Sequence, residues 1–199
     1  MSMTRSHIIC ASEHYVYVWQ YRTLLNDTKG VTGATSFLRK EGSEKFFHID
    51  DVVTDTNKME TKKISHDPIC AITASDKLLV IGRESGLIHR YLLPEIKLDG
   101  KYTLKCRPQS LALNNISSRL AIIDVNGVLT FLDLESKSKT TTKGQSGNQG
   151  AMLNFERKDV WDMQWADDNP ELFAMMEKTR MYICRNLEVE EPIQSSGCK

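Results

Sequence analysis

Apolar residues along this chain fall in short runs that come in pairs, each pair hinged on a turn. Around Gly86 the pair is Leu79-Val80-Ile81-Gly82 and Ile88-His89-Arg90-Tyr91; around Gly127 it is Leu120-Ala121-Ile122-Ile123 and Leu129-Thr130-Phe131-Leu132. Two further pairs turn at His14 (Ile8-Ile9-Cys10-Ala11, Val16-Tyr17-Val18-Trp19) and at Thr179 (Leu172-Phe173-Ala174-Met175, Met181-Tyr182-Ile183-Cys184). β-Branched and aromatic residues dominate, as a half-buried pleated surface favours. The runs are too short and too continuously apolar for a helical stripe. Four strand–turn–strand copies in one register are therefore predicted. Ser85-Gly86 and Asn126-Gly127 supply the positive φ that a tight hairpin needs. Glu177-Lys178-Thr179 has no glycine and is expected to form a longer turn or one of another type.

An upstream strand precedes each of the last three pairs: Ile69 to Ala74, Ser110 to Asn114 and Val160 to Trp165. Ala71, Ala112 and Gln164 each lie eight residues before Leu79, Leu120 and Leu172, which predicts a shared register. Lys101 to Lys105, Met152 to Glu156 and Glu188 to Ile193 are the candidates for outer strands. Gly86 to Gly127 is 41 residues, the period of a four-stranded propeller blade of the WD40 kind. The predicted fold class is all-β: a WD40-like β-propeller segment of about three and a half four-stranded blades, an incomplete ring. The half blade comes first, because too few residues precede His7 for an inner strand. Rings of typically 4–8 blades need more than this, so a segment of a longer protein or a truncated gene product is expected. One partial propeller is predicted over residues 1–199, with loops or insertions at about 24–43, 50–66 and 136–151. The last two are charged or rich in Ser, Thr, Lys, Gly and Gln, a composition that buries too little apolar surface to offset chain entropy.

Composition narrows the function classes without choosing one. Lys plus Arg equals Asp plus Glu at 26 each, so no net field steers the chain toward nucleic acid. No apolar run reaches the length of a membrane span and the N-terminus lacks the core of a signal peptide, which gives a cytosolic expectation. Five scattered cysteines without a CxxC pair predict free thiols, those at Cys10, Cys70 and Cys184 acting as small apolar groups in strands.

Candidate chemistry is sparse. Asp50-Asp51 and Asp167-Asp168 are read as solvated turn residues, since neighbours on a strand point apart. The five histidines show no metal-ligand spacing, there is no GxSxG nucleophile elbow, and Gly144 to Gly150 lacks the lysine and following helix of a phosphate loop. No catalysis, cofactor or metal is expected. A hydrolase with a channel metal near His48 or His89 is the weakest alternative. Trp161, Met163 and Trp165 alternate along one predicted strand and so share a face. Packing between blades is the simplest use of that face, and a partner hot spot at Trp161 and Trp165 is the sharper one.

Longer strings carry a resemblance. Asp67-Pro68-Ile69-Cys70-Ala71-Ile72-Thr73-Ala74, Ser117-Ser118-Arg119-Leu120-Ala121-Ile122-Ile123-Asp124, and the run from Arg157 through Trp161 and Asn169-Pro170-Glu171 to Tyr182 resemble the WD-repeat subunits of intraflagellar transport complex A. Departures fall at residues 50 to 65 and 135 to 152, where loops are predicted. The resemblance implies a non-enzymatic scaffold in retrograde intraflagellar transport, cilium assembly and ciliary entry of membrane proteins. It also implies other complex A subunits as partners, ciliary membrane-protein cargo, and a place in the cytoplasm, cilium, basal body and axoneme. A generic cytosolic adaptor binding peptides or ubiquitin-ligase components is the alternative.

Overall fold

The structure is a computed structural model, and it describes residues 1–22, 42–50, 66–136 and 150–190. Within them every regular element is a β-strand. Four antiparallel meanders of four strands follow one another along the chain, an open and incomplete propeller. Blade one comprises β1 (Ser2–Met3), β2 (His7–Ala11), β3 (Tyr15–Gln20) and β4 (Ser43–His48). Blade two comprises β5 (Ile69–Ala74), β6 (Leu78–Arg83), β7 (Leu87–Leu92) and β8 (Lys97–Thr103). Blade three is β9 (Pro108–Leu113), β10 (Arg119–Asp124), β11 (Leu129–Asp133) and β12 (Ala151–Arg157). Blade four is β13 (Val160–Trp165), β14 (Leu172–Glu177), β15 (Arg180–Arg185) and β16 (Glu188–Val189).

Side chains alternate across each sheet, and both faces of the middle blades are buried. Leu79 and Ile81 of β6 pack against Ile9, Val16 and Val18 of blade one. Their neighbours Leu78 and Val80 pack the other way, against Leu120 and Ile122 of blade three. In turn Ala121 and Ile123 face blade four, where Phe131, Trp165 and Phe173 meet with ring centroids 5.0 to 5.4 Å apart. The three cores therefore lie between blades, none within one. Each fully buried Leu, Ile or Phe contributes roughly 1.5–3 kcal/mol, and it does so only while the neighbouring blade is in place.

Several expectations need correction. Blade one does have an inner strand: Ser2–Met3 is enough to pair with Ile9 and Ile8, because an inner strand can be as short as one pair of ladder positions. The shared register of the upstream strands holds for two of three. Leu113 lies opposite Leu120 and Trp165 opposite Phe173, so Ala112 and Gln164 take matching places. In blade two the hairpin is tighter, Ala74 lying opposite Leu79, and Ala71 is displaced by two residues.

The last hairpin departs in the opposite sense from the one expected. Glu177 pairs with Arg180 across only Lys178 and Thr179, and Lys178 itself takes the left-handed conformation at φ 52°. Gly86 and Gly127 do so at φ 87° and 73° in their own turns. Since the turn is shorter, Phe173 rather than Leu172 takes the position of Leu79 and Leu120 in facing the preceding blade. The outer strand of blade two starts earlier than Lys101 and that of blade four is seen only as Glu188–Val189. Ser43–His48, which the hydrophobic pattern did not mark, is the outer strand of blade one. Of the three expected insertions, residues 23–41, 51–65 and 137–149 lie outside the described residues, as does the end from 191.

Candidate interaction site at the turn rim

The β6–β7, β10–β11 and β14–β15 turns and the links entering each inner strand meet along one rim. At the junction of blades three and four, the Val160 N–H donates to the Gly127 carbonyl at 2.9 Å, and the Lys178 N–H donates to Asp159 at 3.1 Å. Close approach explains the glycine at 127: a Cβ there would lie 3.3 Å from the Val160 carbonyl oxygen. Trp161 sits at this junction. It is 61% exposed, and its Nε1–H donates to the Lys178 carbonyl at 2.9 Å. Asp159 and Lys178 form an exposed ion pair beside it at 3.1 Å.

Why Trp161 points outward follows from a β-bulge. Val160 lies opposite Glu177 and Asp162 opposite Met176, leaving Trp161 without a cross-strand partner. An extra residue shifts the alternation by one, so Val160, Met163 and Trp165 face the core while Trp161 does not. The expectation of one face shared by Trp161, Met163 and Trp165 assumed an unbroken strand. Trp165 is 5% exposed and donates its Nε1–H to the Ala112 carbonyl of blade three at 3.1 Å. Of the two tryptophans, Trp161 alone is exposed. Along the same rim Val125 is exposed, and Arg107 pairs with Glu84 at 3.2 Å. The rim thus presents apolar side chains among neutralised charges.

At the other end of the rim, between blades one and two, buried Arg83 organises a polar cluster. Its guanidinium donates to the Asp50 carboxylate at 2.5 and 3.2 Å and, through Nε, to the Asp67 carbonyl at 2.8 Å. Asp67 accepts from both the N–H and the hydroxyl of Ser85, at 2.8 and 2.7 Å. The hydrogen bonds from Arg83 hold the Asp50 carboxyl below the usual range. Burial pushes the His89 imidazole down to about 4 and the Tyr91 hydroxyl up to about 12. His89 is therefore neutral at physiological pH. Asp50 is a structural carboxylate rather than a solvated turn residue, and Asp51 lies outside the described residues.

Three histidines that the sequence keeps far apart converge nearby. The His14 ring lies 5.8 Å from those of His48 and His66, and His48 meets Tyr15 edge-on at 4.9 Å. Their positions are a hairpin turn, the end of an outer strand and the link into the next blade, a grouping visible only once the blade topology is known. Among the described residues, no three His, Cys, Asp or Glu side chains are placed to hold a metal ion. Burial pushes the Cys70 thiol up and that of Cys184 to about 11. Cys70 donates to the Gly82 and Pro108 carbonyls, bridging blades two and three. These two thiols serve packing.

A family model described as WDR35 second beta-propeller matches residues 1–198. The chain belongs to that family. It is 52% identical over 204 residues to WD repeat-containing protein 35 of Homo sapiens, covering 99% of this chain and 17% of the relative. The WD repeat-containing protein 35 sequences of Rattus norvegicus and Mus musculus are likewise 52% identical over 202 residues. The chain thus spans about a sixth of the length of these curated relatives. Solved structures share the fold. A chain of the Mitotic Checkpoint Complex superposes with a TM-score of 0.60 at 14% identity, covering 98% of this chain and 48% of that one. The Cps50 (Swd1) β-propeller domain of Myceliophteria thermophila gives 0.55 at 12% identity, covering 98% and 72%. Membership makes the chain a propeller scaffold suited to protein–protein contacts. Among the described residues, no helix is long and apolar enough to cross a membrane.

Proposed function

We propose that this chain is a non-enzymatic scaffold of intraflagellar transport complex A, acting in retrograde transport, cilium assembly and the entry of membrane proteins into cilia. The observation that carries this reading is the 52% identity to WD repeat-containing protein 35 along 99% of the chain. It supports partners among the other complex A subunits, and a place in the cytoplasm, cilium, basal body and axoneme. A propeller suits the task physically. Its blades are locked to one another by apolar cores, so it offers a rigid rim on which loops and turns present contacts, and function resides in those sites rather than in the fold.

Trp161 is the residue on which a partner would anchor, since exposed tryptophan is enriched among residues that dominate binding energy. Its indole N–H is already satisfied by Lys178, leaving the ring face to make an apolar contact. The test is to express the tagged protein in ciliated cells depleted of the endogenous relative. Restored cilia with the tag at basal body and axoneme support the proposal. Absence from both, with cilium assembly intact after depletion, refutes it and favours the cytosolic adaptor.

A further inference from the structure

His7, His14, His48, His66 and His89, all the histidines of the chain, fall on blade one, blade two or the link between them. Of these only His7 and His89 are buried, at 2% and 3% exposed. His7 shares a face of β2 with Ile9, and His89 shares a face of β7 with Tyr91; Ile9 and Tyr91 belong to the apolar core between blades one and two. The two imidazoles therefore bracket that core, one toward each rim. The cores between blades two and three and between blades three and four contain no histidine among the described residues.

Hydrogen bonding fixes what each ring can do. The Ser6 hydroxyl lies 2.9 Å from the carboxylate of Asp76, in the β5–β6 turn of blade two, and 2.9 Å from His7 Nδ1. A carboxylate only accepts, so the single hydroxyl hydrogen goes to Asp76 and His7 donates from Nδ1. His7 Nε2 is then buried without a partner, and so is Nε2 of His89, whose Nδ1 lies 3.4 Å from the Tyr91 hydroxyl. Protonation makes both nitrogens of a ring donors, which leaves each with a buried cationic N–H and no acceptor for it. Fixed charges nearby do not reverse this. Asp76 favours the His7 cation and Lys45 opposes it, while Asp50 and Asp67 favour the His89 cation and Lys101 and Arg83 oppose it. Burial outweighs them, holding His7 below the ordinary imidazole value and His89 at about 4. If the blades part, both rings meet water and bind protons near the ordinary value of ~6.5. Acid therefore favours the parted junction over the closed one.

We propose that the junction of blades one and two is a proton-operated joint, closed while His7 and His89 are neutral and parting ahead of the other two junctions when they are protonated. Parting bares Ile9, Val16, Leu79 and Ile81, apolar side chains that the closed stack hides. Two backbone hydrogen bonds supply a reporter and a control. The Ile69 N–H donates to the Glu13 carbonyl across blades one and two at 2.6 Å, and the Val160 N–H to the Gly127 carbonyl across blades three and four at 2.9 Å. Amide exchange of the full chain, followed by NMR at about pH 7.5 and about pH 5 and corrected for the intrinsic rate, gives the opening constant at each. At Ile69 it should rise about 30-fold on acidification from His89 alone and further with His7, while Val160 changes far less. His7→Gln and His89→Gln should each reduce the rise, and the double variant should remove it. Imidazole nitrogen shifts of the unaltered chain test the joint without any variant: both rings should titrate below the ordinary value, His7 as the Nδ1–H tautomer. Equal rises at Ile69 and Val160, no rise at Ile69, a rise that either single variant leaves undiminished, or a ring that titrates at the ordinary value would each overturn the proposal. So would a rise that survives the double variant, which would assign the response to His14, His48 and His66 at the rim of the same junction.

Discussion

Replacing Trp165 and Trp161 separately by alanine tests the bulge that sends two nearby tryptophans in opposite directions. Trp165 is enclosed by Phe131 and Phe173 at centroid distances of 5.4 and 5.2 Å, and its hydrogen bond to Ala112 ties blade four to blade three. Trp165→Ala removes a whole buried ring and is expected to cost about 4 kcal/mol, within the ~3–5 kcal/mol usual for such truncations. Trp165→Phe retains an aromatic ring but leaves the Ala112 carbonyl without this donor, for about 1–3 kcal/mol. Trp161→Ala sacrifices one exposed side-chain hydrogen bond and is expected to cost under about 1.5 kcal/mol. Urea unfolding followed by circular dichroism gives all three without relying on tryptophan fluorescence. Equal losses for the two alanine variants, or a larger one at Trp161, would refute the assignment of core and surface. In a binding assay the order should reverse, Trp161→Ala weakening partner capture in a protein that remains folded.

Other outcomes follow from the buried polar groups and the turns. His89 binds its proton in the unfolded chain near the ordinary imidazole value of 6.5 but in the fold, where burial disfavours the charged ring, only at about 4. The unfolded state therefore takes up the proton first, and stability falls as pH drops from about 6.5 toward 4, by at most about 3 kcal/mol; thermal melts of His89→Gln across that window should show a flatter profile. Asp50, with its carboxyl held low by Arg83, acts in the opposite sense and lower down, its stabilisation disappearing as pH falls below the ordinary aspartate range. Arg83→Leu leaves Asp50 and Asp67 facing a lost cation and should cost about 3 kcal/mol by denaturant unfolding, with Arg83→Lys recovering little of it because an ammonium cannot match the fork of contacts. Gly86→Ala should lower stability by more than about 1 kcal/mol, given φ 87° and a Leu104 carbonyl oxygen 2.8 Å from the new Cβ. An unchanged melting temperature there would mean that the turn relaxes freely.

The strands of the second and third positions in each blade were legible because they alternate or run apolar between turn residues. Third strands align correctly even though Tyr91-Leu92, Leu132-Asp133 and Cys184-Arg185 stand where a WD40 blade carries a Trp-Asp dipeptide. Harder to read were features set by one residue more or less. Spacing along the sequence does not reveal that Trp161 is looped out of its ladder, nor that Lys178 accepts a left-handed conformation in place of glycine. Ser43–His48 is not marked by the hydrophobic pattern because four of its six residues are exposed and the other two half-buried, and its sequence, Ser-Glu-Lys-Phe-Phe-His, is mostly polar. The Arg83 cluster was hidden for another reason. Asp50, Asp67 and Ser85 come from three separate segments, and only the stacking of blade two on blade one brings them to a common guanidinium.

The bulges at the start of the inner strands carry a consequence for how such repeats change over generations. Inner strands β5, β9 and β13 each break register near their first residues, opposite Arg83, Asp124 and Glu177. Such a slack residue acts as a phase adjuster, absorbing a one-residue gain or loss at a strand end before it reaches the side chains that pack between blades. Copies of the unit are then free to drift in hairpin length and lose their signature residues while the stack stays intact, provided the parity of the inward-facing set is kept.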